Sequence, residues 1–189
     1  FLTAGAGSNY ELYDIAWSSN VIFSDITDNG ANPVSLVKTG SGITSFRTGN
    51  SYTGTTYINE GIFRGVIGAL GTSLGTGNLV FGGSPNSPAA YETDGDFTRA
   101  IGTGVGEVQF LGGGGLGGGS SGINTYGAPV TINFGGAGAT VNWGSSTFDP
   151  GIFGLNVGGA STHAITVVNP FDLGGEQRYI RVDGSGSGS

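Results

Sequence analysis

The chain of 189 residues holds 41 glycines and a net charge of −7, and it lacks both cysteine and methionine. Zero cysteine excludes disulfides, thiolate metal sites and cysteine nucleophiles together, and six Lys and Arg against 13 Asp and Glu leave no basic stripe for nucleic acid. With 11% aromatic and only 10% charged residues, apolar surface is available for burial, so the chain folds in spite of its glycine.

Residues 8–29 are free of Gly and Pro, and Tyr13, Ile15 and Trp17 alternate there as in a strand. The competing helical turn of Leu12, Ile15 and Ala16 is shorter, and a strand is preferred. Further alternations follow at Leu79 and Phe81, Val108 and Phe110, and Val130, Ile132 and Phe134. They continue at Val141 and Trp143, Ile165 and Val167, and Ile180 and Val182. Breakers separate them: Asp28-Asn29-Gly30, Gly82-Gly83-Ser84-Pro85, the run Gly112 to Gly119, and Gly158-Gly159. Glycine interrupts nearly every window long enough for a helix, and no run of about 18 apolar residues offers a membrane span. The expected class is all-β. A sandwich would show cleaner hairpin turns. Short strands with tight Gly, Asn and Asp corners suit a β-solenoid, whose inward positions stack as apolar ladders.

Residues 36–61 add spacing to this picture. Leu36-Val37-Lys38-Thr39-Gly40-Ser41-Gly42 is followed by Gly49-Asn50-Ser51-Tyr52-Thr53-Gly54-Thr55-Thr56 and then by Ile58-Asn59-Glu60-Gly61. The three segments, in this order, resemble the autotransporter-associated β-strand repeat, which runs Leu-x-Lys-x-Gly-x-Gly, Asn-x-Tyr-x-Gly-x-Thr, Ile-x-x-Gly. Residues 97–104, 106–110 and 138–144, and 169–175 with Arg178 and Val182, resemble the glycine-rich regions that accompany this repeat. Residues 1–20 match no part of it. The resemblance implies a right-handed parallel β-helix, secreted to a bacterial surface as a stalk or passenger scaffold. No C-terminal outer-membrane barrel pattern is present, so a repeat unit, a fragment or a free subunit is expected. The expected layout is one solenoid domain over 1–183 and a Gly/Ser tail or linker over 184–189. Within the motif, Gly40, Gly42, Gly54 and Gly61 are expected at turns, and Asn50 and Asn59 in hydrogen bonds between successive coils. Lys38 and the Tyr52 region are architectural on the same reading.

The chemistry-bearing residues are sparse. Glu92, Asp94 and Asp96 form the densest acidic cluster, and Asp94 and Asp96 are the candidate Ca²⁺ ligands. The later bidentate glutamate of a calcium loop is missing, so a turn of solvated carboxylates is preferred, as it is for Asp25 with Asp28. The single histidine, His163, has no Gly-x-Ser-x-Gly elbow to serve and is expected at a strand end. The Gly112–Gly119 run lacks the Gly-Lys-Ser/Thr of a phosphate loop. Arg99, three residues beyond Asp96, keeps open a glycan-cleaving or glycan-binding β-helix, with converged carboxylates or stacked Tyr91, Tyr126 or Trp143 on a groove. The main expectation is a non-catalytic extracellular structural protein without a cofactor, a filament, stalk or adhesin segment. Its partner is a further copy of itself, docked head to tail through Phe1 and Leu2 at one end and Tyr179, Ile180 and Val182 at the other. Extracellular glycans are the other expected partner.

Overall fold

The structure is a computed structural model that describes residues 1–5, 10–65, 74–83, 88–112, 120–136, 138–157 and 163–183. Among these residues the chain is all-β and without helix, and every strand pairing is parallel. Among the described residues no helix is long and apolar enough to cross a membrane. The expected tail over 184–189 and most of the Gly112–Gly119 run lie outside the described residues.

A first sheet runs β1 (Glu11–Ile15), β3 (Ser35–Thr39), β5 (Thr56–Ile58), β7 (Leu79–Phe81) and β10 (Val108–Phe110). A second runs β2 (Asn20–Ile22), β4 (Ile43–Phe46), β6 (Gly61–Gly65), β8 (Ala89–Thr93), β11 (Ser120–Thr125), β14 (Ile152–Leu155) and β17 (Tyr179–Val182). Smaller sheets join β9 (Phe97–Thr98), β12 (Val130–Asn133) and β15 (Ile165–Val167), and β13 (Val141–Asn142) with β16 (Phe171–Asp172). Up to β8, strands consecutive in sequence alternate between the first two sheets, and each of β1 to β6 pairs with the strand two places on. Parallel partners need a crossover, and here the strands of the other sheets supply it.

Register explains why these residues take these places. Leu12, Leu36, Thr56, Leu79 and Val108 lie in one column of the first sheet, and Asp14, Lys38, Ile58, Phe81 and Phe110 in the next inward column. In the second sheet Phe63, Tyr91, Ile123, Leu155 and Val182 line up. Neighbours in a column stand about 4.8 Å apart, so flat rings stack. Phe81 lies on its column neighbour Phe110 at 4.6 Å between centroids, and Phe46 lies on Phe63 at 4.2 Å across the diagonal between β4 and β6, both nearly parallel. Trp143, Phe148, Phe153 and Phe171 extend the core as tilted and edge-on pairs. All residues of β8 and β11 are buried, the state of a parallel strand covered on both faces. Thr93, Ser120, Ser121 and Thr125 are buried there with the apolar residues.

Candidate functional site: corner side chains and open sheet edges

Long polar side chains sit at the corners and are occupied by backbone. Lys38 is fully buried, and its ammonium donates to the carbonyls of Thr39 (2.9 Å), Gly40 (2.8 Å) and Glu60 (3.1 Å). Those three bonds use every donor an ammonium has. Burial pushes its pKa down, against the opposing pull of the Asp14 and Glu60 charges. Gly40 and Gly61 flank this group at φ +75° and +71°, backbone that L side chains resist. Gly42 and Gly54 lie at bends outside the strands, as expected, but by a different requirement from Gly40 and Gly61. Neither has a positive φ, and a Cβ on Gly42 would overlap the Ser18 carbonyl, and one on Gly54 the Val34 carbonyl. Their requirement is close approach of the backbone at the bend to the segment stacked beside it, not a left-handed φ.

Asn50 takes the role foreseen for it: its Oδ1 accepts from Ile26 N–H at 2.8 Å. Tyr52, fully buried, shares a 2.6 Å hydrogen bond with Thr56 Oγ1. Sequence reasoning missed the equivalents later in the chain. Asn78 Nδ2 donates to Gly102 and Gly104 carbonyls. Asn169 donates to the carbonyls of Phe134, Gly136 and Ala139 and accepts from Phe134 N–H. The signal was an Asn just before a strand or a Pro in a glycine-rich stretch, without the motif spacing that marked Asn50.

The acidic candidates separate in space. Glu92 is buried and ion-paired with Arg64, whose guanidinium lies 4.2 Å over the Tyr126 ring. Burial pushes the Glu92 carboxyl up, and Arg64 works against it. The expected solvated turn is therefore wrong for Glu92. Asp96 is exposed and its Oδ1 accepts from Thr131 N–H at 2.8 Å. Asp28 accepts from Val34 N–H, Thr53 N–H and the Thr53 hydroxyl. Burial acts upward on its carboxyl, but those bonds outweigh it and hold the pKa below the usual range. Among the described residues no three His, Asp or Glu cluster as metal ligands. His163 stands two residues before β15, at a strand end.

Asp96 and Arg99 line one recess of about 370 Å³, together with Leu74, Tyr91, Phe97 and Thr98. Arg99 is tied down there, donating to the carbonyls of Gly77 (2.7 Å), Gly75 (3.0 Å) and Glu107 (3.5 Å). Tyr91 and Trp143 are buried in the core, which removes both from any exposed aromatic platform. Tyr126 is engaged by Arg64.

The residues expected at an assembly contact are mostly accessible. Phe1 is almost fully exposed, Leu2 pairs with Ile26, and Ile180 and Val182 are 53% and 68% exposed, with Tyr179 partly buried. Unforeseen beside them are Tyr13, Ile15, Trp17, Val21 and Phe23, all exposed. The apolar alternation of 13, 15 and 17 marks the outer face, and Leu12 packs inward on the core. No family model, curated protein or solved structure matches the chain.

Proposed function

We propose that the chain is a non-catalytic structural segment of a secreted bacterial surface stalk, filament or adhesin, coiled as a right-handed parallel β-solenoid over 1–183 and associating end to end with further copies. One observation carries the reading: strands alternate between parallel sheets in fixed register while the polar side chains of the corners are bonded to backbone. Coiling turns each circuit into one layer that contacts only its neighbours. The right hand is supported by the general handedness of parallel crossovers and by the resemblance of 36–61 to the autotransporter-associated repeat. A side chain locked to two or three carbonyls is poorly placed to move protons or grip a substrate, and Lys38, Arg99 and Asn169 are all locked in this way. The absence of cysteine and methionine suits an oxidising exterior.

Negative-stain images of the purified chain, with fibre diffraction of concentrated material, test the reading. Thin rods with a strand spacing of about 4.8 Å along the rod axis are expected, and compact particles with the spacing across the axis would end it. A second reading, a glycan-binding or glycan-cleaving β-helix, draws on the recess beside Asp96 and Arg99. Release of reducing ends from a polysaccharide panel, lost in Asp96→Ala, would favour that reading over the structural one.

A further inference from the structure

Exposure along the columns is not random. In the outer column of the first sheet, Val37 and Val80 are each 7% exposed, flanked on both sides by column neighbours. Tyr13, which has Val37 on one side only, is 59% exposed. In the second sheet Ile123 and Phe153 are buried, whereas Val182 and Ile180, their columns' last members, lie open. Ser45 is buried between Val21 and Arg64, and Val21, at the column's other end, is half-exposed. Apolar side chains are thus uncovered where a column lacks its next strand. The missing cover has the dimensions of one more parallel strand.

Both limits of the second sheet offer such a strand an edge. Among the described residues β2 pairs only with β4, and β17 only with β14. All seven strands point the same way, so β17 of one molecule can extend the sheet of another beyond β2 without reversing direction. A head-to-head contact would instead bring antiparallel edges together and break the columns. We propose that β17 of one copy adds in parallel to β2 of the next, a heterologous contact that leaves a free edge at each end and so propagates. This rests on the structural reading above and names its joint. Continuing the existing columns without a shift places Val182 beside Asn20 of the neighbouring copy, because Asn20, Thr44, Phe63, Tyr91, Ile123, Leu155 and Val182 form one column.

The cysteine-free chain makes the joint directly testable. Asn20→Cys and Val182→Cys are prepared as separate full-length chains, mixed and air-oxidised. Both positions are exposed, so neither change disturbs packing. Facing residues of parallel strands fall within the Cα separation a disulfide tolerates, and about tenfold more mixed than self-linked product is expected. Asn20→Cys mixed with Ile180→Cys sets the thiols about 8 Å apart and should link poorly. Equal linking by the two mixtures, or self-linked products in excess, overturns the joint. Sedimentation of the unmodified chain separates this from the broader reading. Oligomers without the mixed product leave end-to-end assembly standing through another surface, and monomers at every concentration remove both.

Discussion

Lys38 shows how a charged side chain can be part of a core. Its apolar stem lies in the column of Ile58, Phe81 and Phe110, and its ammonium closes the corner by bonding to three carbonyls. Lys38→Met keeps the stem and strands those carbonyls, so a loss of about 2–4 kcal/mol is expected in urea denaturation. A neutral result would mean that the corner is held by the glycines alone. Glu92 makes a prediction of opposite character. Its carboxyl is pushed above the usual 4.5 by burial, so the folded state binds its proton more tightly than the unfolded state does. That contribution is present below pH 4.5 and is lost as pH rises through the folded value. Denaturation of wild type and Glu92→Gln at a series of pH values should show wild type losing stability relative to the variant as pH rises above 4.5. A relative gain would show that the Arg64 charge outweighs burial. The role of Lys38 was legible because its neighbours Gly40 and Gly61 fixed a corner around it. The burial of Glu92 was not legible, because its cover comes from elements far away in sequence.

At the scale of the element, glycine has two separable jobs. Gly127 and Gly106 have φ of +81° and +75° with open space beside them. Gly122 has no positive φ, yet a Cβ there would overlap the Gly154 carbonyl of the neighbouring strand. Gly127→Ala should therefore cost about 1–2 kcal/mol through backbone strain alone. Gly122→Ala should cost about 3 kcal/mol or more by forcing β11 away from β14. Thermal denaturation of the two variants decides, and equal losses would show that the strands part easily at this column. From sequence the motif glycines and the glycine-rich breakers read as turns, and the two jobs could not be told apart. The strands themselves were legible, since the pairs Leu79 and Phe81, Val108 and Phe110, and Ile165 and Val167 each mark one. Which strands pair was not, because parallel partners are separated in sequence by strands of other sheets and nothing local encodes that distance. The face of β1 was misleading for a related reason: Tyr13, Ile15 and Trp17 alternate as core residues do, while Asp14 holds an inward position above Lys38.

Across the whole molecule, cover is deepest in the middle of the second sheet and thins toward both limits. All of β8 and β11 is buried, whereas β2 and β17 hold mostly exposed residues. In the proposed solenoid, whose layers would touch only their neighbours, opening begins at the outer layers and reaches the middle last. Amide exchange at low protein concentration should therefore be slowest in β6, β8 and β11 and fastest in β2 and β17. Raising the concentration separates structure from assembly, because a neighbour added at the edges protects only them. Slower exchange in β2 and β17 with β8 unchanged is the pattern an end-to-end joint produces. Uniform protection across all seven strands would mean that the sheet opens as one unit, which layer-by-layer stacking does not allow. Protection of β17 that rises alone, with β2 unmoved, would place the partner on one limit of the sheet and stop the chain of contacts at two molecules.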